Sequence, residues 1–272
     1  LFGWRLLFAN IGLLIGTILP AIAATLAWIK LSPDAFASWA IGLLILLTTG
    51  VTLFATSGFD QVAEKNKQAP HSFKGYFKDL HQALSNRSFS WLLFAYMVAT
   101  IGLTLNSSLA LYYYKFFLKL EDVSVRGIIA FFMFIFCLGI PLWIFVARYI
   151  SKPIILMANV GLLGVMTTFG YPLFPSGTVL WPLLAGLFGG IFVASVVLMD
   201  VTVADLADYQ AKIDKTSVSK LGVYFGFWKM GSKFSRAAAL ILAGNSLSWI
   251  GFEAQKPPND EVSLRLALLF GP

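Results

Sequence analysis

The sequence predicts an all-helical protein that crosses a membrane many times. Three observations carry that prediction. Of 272 residues, 58% are hydrophobic and 12% charged, with mean hydropathy +0.79, whereas a soluble domain has about 25% charged residues. Apolar runs long enough to span a bilayer, about 18 residues, recur along the whole length. The alternating ten-residue segments of a transmembrane barrel are missing. Helices follow, because backbone groups in lipid must be satisfied within each segment.

The first run, roughly 6–29, follows Arg5 and contains Gly12, Gly16 and Ala21–Ala24, small residues suited to close helix contact. Pro20 is placed to kink it. A short turn, Lys30 to Asp34, leads to a second run at roughly 36–59. Residues 60–88 are polar and include Lys65, Lys67, Lys74, Lys78 and Arg87. Within them, Phe73, Tyr76, Phe77, Leu80 and Leu84 recur at helical spacing, which predicts an amphipathic helix on the membrane surface over 73–84. This longest polar stretch divides the chain into 1–59, a central loop over 60–88, and a second bundle over 89–272. The later runs are roughly 89–118, 127–148, 153–174, 178–200 and 221–250, and an eighth begins near Ser263 after the Pro257-Pro258 turn. About seven complete spans and the start of an eighth are therefore expected. The chain opens at Leu1 without a Met and stops soon after the last run begins, so a fragment is expected.

The net charge of +7 sits in loops, not on a soluble module, which excludes a nucleic-acid partner. With the 60–88 loop in the cytoplasm and alternating spans, eleven of the 20 Lys and Arg fall on the cytoplasmic side and six on the other. The remaining three lie inside the seventh run. Cys137 is the single cysteine, so no intrachain disulfide forms. His71 and His81 lie far from any ligand cluster, and no phosphate loop or serine-nucleophile elbow occurs. Neither an enzyme nor a cofactor protein is expected.

The residues that carry chemistry start at 200. Lys229, Lys233 and Arg236 are spaced i, i+4, i+7 and share one face of the seventh helix. A charge at the centre of a spanning helix costs about 2.5–3.5 kcal/mol. The stripe is therefore expected to face a wet cavity or carboxylates; for Lys229, snorkelling to the interface is an equal reading. Asn106 and Tyr113 are seven apart and share a face of the third helix, an arrangement that suits a hydroxylated solute. Helix–helix hydrogen bonding by Asn106 and an aromatic belt at Tyr112–Tyr114 explain them equally well. Asp200, Asp205 and Asp208 are placed where the sixth helix leaves the membrane. A solvated loop is one reading. A gating latch is the other, with Asp205 and Asp208 meeting Arg148 or Lys152.

The segment Ala204-Asp205-Leu-Ala-Asp208-Tyr209, a charged loop, Gly222-Val-Tyr-Phe-Gly226 and Lys233 resemble the signature of the glycoside–pentoside–hexuronide:cation symporters, the melibiose-carrier branch of the major facilitator superfamily. Asn106 followed by Tyr112-Tyr113 resembles that family's seventh helix. The resemblance implies twelve helices in two halves, with this chain holding helices five to eleven and the start of twelve, and lacking the first four. It also implies that Lys233 matches a lysine near the cation and sugar sites. The loop departs from the pattern: where the family continues with an acidic residue, then Thr-Gly and an Arg-rich Glu-Gly segment, this chain reads Gln210-Ala-Lys-Ile-Asp-Lys-Thr-Ser-Val-Ser-Lys-Leu-Gly222.

The expected function is cation-coupled symport of a sugar or related, even anionic, polar solute by alternating access. Lys233, Asn106, Tyr113, Arg236 and Lys229 would bind the solute; Asp205, Asp208, Arg148 and Lys152 would gate it. No metal site or cofactor is expected. Na+ or H+ would couple, at a site mostly on the helices that precede this chain. The partners are a small solute, the coupling cation and the bilayer, in the inner or plasma membrane. Two alternatives remain: a transporter of lysophospholipid or another amphiphile with the same fold, and a non-transporting scaffold or receptor.

Overall fold

The computed structural model describes residues 8, 11–12, 15–16, 19, 32–57, 81, 83–213, 221–253 and 258–271, leaving aside the side chains of 33, 34, 37, 211 and 221. Within these residues the chain is helical and forms no strand. The described residues fall into two compact units, one within Phe8–Lys78 and the other within Asp79–Pro272. The 60–80 stretch, with most of the expected amphipathic helix, lies outside the described residues, as does the Gln210–Gly222 loop over 214–220. Of that expected helix, His81, Ala83 and Leu84 are helical, and Ala83 is buried beneath Phe89.

In the first unit, α1 is Pro33–Thr56. Ser32 caps it by accepting from Ala35 N–H at 3.3 Å, and Pro33 opens it, where the missing N–H costs nothing. Three of its four threonines need no outside partner: the Thr48, Thr52 and Thr56 hydroxyls donate to carbonyls one turn back at 2.8–2.9 Å. Gly12 is exposed, and a Cβ on either Gly12 or Gly16 would meet nothing within 4 Å.

The second unit contains α2 (Arg87–Tyr112), α3 (Asp122–Val146), α4 (Lys152–Val165), α5 (Leu180–Ala194), α6 (Val197–Ile213), α7 (Leu221–Trp249) and α8 (Asp260–Phe270). Asn86 caps α2 through Ser88 N–H and Phe89 N–H, and Asn259 caps α8 through Val262 N–H at 2.9 Å. α7 ends at Gly251, whose φ of +78° turns the chain away, with Phe252 N–H reaching back to Leu247 O. Five described helical stretches are long and apolar enough to cross a membrane: Ser38–Thr56, Arg87–Phe117, Asp122–Val146, Lys152–Leu173 and Leu180–Gln210. α7 spans 29 residues but includes the three cations.

Three of the apolar runs are not single α-helices. α2 widens into a π-helical turn at Tyr113–Phe117, closed by Leu118 N–H to Tyr113 O at 3.1 Å. α4 passes into a second π turn, Met166–Gly170, then a 3-10 turn at Tyr171–Leu173 where Pro172 removes a donor. The sixth run, expected as one helix over 178–200, breaks at Ser195–Val196 and then continues as α6 to Ile213. At the break, Ser195 N–H and Val196 N–H bond three residues back, to Phe192 O and Val193 O. No charge and no Pro stands at 195–196, and apolar residues flank Ser195 on both sides, so hydropathy alone shows no boundary there.

Two helix pairs hold the unit together, α3 against α5 and α2 against α7. Small residues allow both. A Cβ on Gly139 of α3 would lie 2.6 Å from Ala194 Cβ, and one on Gly190 of α5 would lie 2.9 Å from Ile135 Cγ2. In lipid there is no hydrophobic drive between helices, so this close fit and a few hydrogen bonds hold them. Trp143 Nε1–H supplies one such bond, donating across the pair to Ile191 O at 2.6 Å. Phe134, Leu138, Leu142 and Phe145 share an exposed apolar face of α3. Gly139→Val should force α3 and α5 apart and lower stability by about 1–3 kcal/mol. Thermal unfolding in detergent checks this, with Gly161→Val, where a Cβ meets nothing within 4 Å, as the neutral control.

Candidate functional site

α7 sorts its residues by face. Trp228, Gly231, Ser232, Ser235, Ala239 and Ala243 are buried and follow one stripe by helical spacing. That stripe meets α2: a Cβ on Gly231 would come within 3.0 Å of Leu93 Cδ1 and 3.3 Å of Met97 Cγ. Lys229, Lys233 and Arg236 lie roughly 100° around the helix from it, at 100° per residue. All three are exposed. No ion pair or hydrogen bond joins Lys233 or Arg236 to another described residue. Two buried polar atoms, Ser235 Oγ and Asn159 Nδ2 on α4, also lack a hydrogen-bond partner among the described residues.

Lys229 does have a partner. Its Nζ lies 3.6 Å from Asp200 Oδ2, with the lysine side chain 46% exposed and the aspartate side chain 12%. The other carboxylate oxygen, Oδ1, accepts the indole N–H of Trp228 at 2.5 Å. Trp228 is fully buried and stacks on Tyr96 of α2, with ring centroids 3.8 Å apart and planes 13° from parallel. One cluster thus links α2, α6 and α7. Asp200 was expected at the membrane exit of its helix. Because α6 runs on to Ile213, Asp200 instead lies 13 residues, roughly 20 Å at 1.5 Å per residue, from that end. It is buried among Met199, Val203 and Trp228.

Of the candidate gating residues, Asp205 and Asp208 lie eight and five residues before the end of α6. Lys152 Nζ, at the start of α4, pairs with Asp205 Oδ2. Asp208 and Arg148 are exposed and form no ion pair with a described residue. Nearby, Asn86 Nδ2–H donates to Gln210 Oε1 at 3.1 Å, which ties the start of α2 to α6.

A family model described as MFS/sugar transport protein matches residues 1–271. The chain belongs to this family. No curated protein and no solved structure was found to match it. The protein is therefore a polytopic membrane transporter of the major facilitator superfamily, and its surroundings are a lipid bilayer and a small-molecule solute.

In this sugar-transport-family protein, the remaining two candidate binding residues sit in contacts of their own. Half-buried Asn106 donates through Nδ2–H to Phe270 O at 3.2 Å, serving one of the free carbonyls at the end of α8. Tyr113 is fully buried, and its hydroxyl donates to Tyr171 O at 2.6 Å. Phe270 stacks on Tyr113 at 4.3 Å, so the two π turns and α8 meet in one aromatic cluster. Asn106 and Tyr113 are thus near α8, while Lys229 is on the Asp200 cluster. Among the described residues, no hydrogen bond or ion pair joins the two groups.

Sequence reasoning passed over Asp200 as a binding-site member, together with Trp228 and Tyr96. One signal was available: Asp200 has apolar neighbours on both sides, Val196–Met199 and Val201. An ionisable residue inside such a run needs a partner, and Trp228-Lys229 supply both a donor and a charge. Trp228→Phe should leave Asp200 Oδ1 buried without its donor and destabilise the transporter by about 1–3 kcal/mol. Detergent melting measures it; a loss no larger than that of Trp249→Phe, an exposed site, would mean the hydrogen bond contributes nothing.

Proposed function

We propose that this transporter is a cation-coupled symporter of the melibiose-carrier-like branch that moves a sugar or related polar solute by alternating access. The observation that carries the reading is the cationic face of α7. Three charges on one stripe of a helix in a membrane transporter are tolerable where water, a solute or carboxylates meet them. Lys233 and Arg236 have no internal partner among the described residues. They are free to bind a polar or anionic solute, and Lys229 extends the same face. Half-buried Asn106 flanks the solute path from α2, and Tyr113, buried behind it in the π turn, supports that wall through its bond to Tyr171 O. The coupling ion is Na+ or H+. The protein acts in the cell membrane, inner or plasma, with the basic loops in the cytoplasm.

Lys152–Asp205 acts as the latch of one access state, with Asp208 and Arg148 close by in sequence as further charges for the other. The aspartate side chain is 60% exposed, so the pair contributes at most about 1 kcal/mol. That is enough to bias two nearly balanced states about fivefold.

Reconstitution in vesicles tests the symport. Labelled glucose and glucuronate are offered with imposed Na+ or H+ gradients, and gradient-dependent accumulation of at least one is expected. A scaffold would give no flux under any gradient. Lys233→Ala should abolish ion-dependent uptake while insertion and folding persist. Loss in Arg236→Ala but not in Lys233→Ala would move the role to Arg236, and normal uptake in both would make the stripe structural.

Asp205→Asn should shift the ratio of inward-open to outward-open protein by up to about fivefold. Accessibility labelling of introduced cysteines at the two ends reads that ratio, and unchanged labelling rules the latch out.

A further inference from the structure

We propose that Asp200 is the internal counter-ion of Lys229 and thereby sets the transporter's preference between neutral and acidic solutes. The inference rests on the reading of the α7 cationic face as the solute site.

The two oxygens of Asp200 are held differently. Oδ1 takes a short hydrogen bond from the Trp228 indole, 2.5 Å, inside the core. Oδ2 meets Lys229 Nζ at 3.6 Å, longer than the roughly 2.7–2.9 Å of a charge-assisted hydrogen bond. The carboxylate is therefore anchored, and the ammonium is held by charge more than by a tight bond. The lysine side chain is nearly half exposed and has a flexible four-carbon stem. It can leave Asp200 and join Lys233 and Arg236 on the same face.

The consequence differs with the charge of the solute. A neutral sugar needs no counter-charge and leaves the Asp200–Lys229 pair intact. An acidic sugar draws Lys229 toward its own carboxylate. Asp200 is then left in the core with the Trp228 N–H alone, and an unpaired buried charge is costly. That cost is subtracted from the affinity for every anion and from none for neutral solutes. Asp200 also stands in the first turn of α6, just after the break at Ser195–Val196. Helix interruptions of this kind are where membrane transporters commonly place their solute and ion sites.

The test uses glucuronate and glucose as probes on the purified full chain in detergent, with binding measured by calorimetry. Asp200→Asn keeps an oxygen for Trp228 but removes the charge that holds Lys229. It should bind glucuronate about three- to tenfold more tightly than wild type, with glucose affinity unchanged. Lys229→Gln should lose the glucuronate gain when combined with Asp200→Asn. Amine labelling of Lys229, read by mass spectrometry, gives a second measurement. The rate should rise in Asp200→Asn and fall again when glucuronate is added. Near-ultraviolet circular dichroism reports whether Trp228 keeps its environment, and should Asp200→Asn not fold, Lys229→Gln against wild type must still separate the two sugars. Equal glucuronate affinity in wild type and Asp200→Asn, including no binding by either, overturns the inference. Failure of symport is a separate result: uptake without ion dependence removes the coupling but leaves the binding difference standing.

Discussion

A carboxylate buried in an apolar helix bundle requires partners, and Asp200 takes them from one neighbouring helix. Taking a charge out of water costs several kcal/mol even after relaxation, and attraction between charges offsets this only when the remaining lone pairs are also satisfied. Trp228 has the converse need, since its fully buried indole N–H requires an acceptor. The two requirements cancel at 2.5 Å. The contact then determines the rest of the cluster. Trp228 stands where Tyr96 can stack on it, and Gly231 three residues on admits Leu93 and Met97 of α2. The break before α6 matters here as well. α5 is committed to α3 through Gly139, Gly190 and Ala194, whereas α6 begins afresh at Val197 and meets α7 through Asp200. Asp200 also lies in the first turn of α6, where the helix dipole favours a negative charge.

The far end of the same bundle is held by neutral groups. Tyr113 donates to a carbonyl of the 3-10 turn, Asn106 donates to the last carbonyl of α8, and the aromatic rings of Tyr113, Tyr171 and Phe270 fill the space between. Both π turns lie here, and such turns leave backbone groups out of the regular ladder. Tyr171 O, beyond the second π turn, is satisfied by a side chain from the first. The two ends therefore answer to different influences. A solute charge can compete for Lys229, whereas it has no purchase on a hydroxyl bonded to a carbonyl inside an aromatic core.

The run lengths made most of the fold legible. Length and apolarity suffice to locate a spanning helix, because lipid demands both: α7 lies within one residue of its expected bounds, α2 and α4 reach theirs once the π and 3-10 turns that extend them are counted, and α3 starts five residues before its run. Interruptions were hidden, since Ser195–Val196 and Met166–Gly170 hold no charge and no Pro and break by backbone hydrogen bonding, not by composition. The spacing of Lys229, Lys233 and Arg236 identified a shared face correctly, because a helix keeps that relation whatever it packs against. Periodicity along one helix does not tell which neighbour fills the facing space. For that reason Tyr113 could be read as reaching for a solute when its hydroxyl meets Tyr171, and Asp200 could be read as a loop residue when it meets Trp228. Lys152 with Asp205 was legible for a simpler reason: both are charged, Lys152 opens α4, and the alternation of spans puts that end on the same side as the polar second half of α6.

The position of the cationic stripe relative to the packed stripe carries the last step. If the charges lay opposite Trp228 and Gly231, they would point straight away from α2 and α6, and Asp200 could not reach any of them. If they lay on the packed stripe, three long cations would replace Gly231, Ser232 and Ser235 and hold α7 off α2. Roughly 100° away, the first cation of the stripe reaches around to the buried carboxylate while the next two do not. One carboxylate thus balances one of three cations among the described residues. The uncompensated positive field of Lys233 and Arg236 remains on the exposed side of α7, beside a lysine whose own counter-ion is held in reserve behind it.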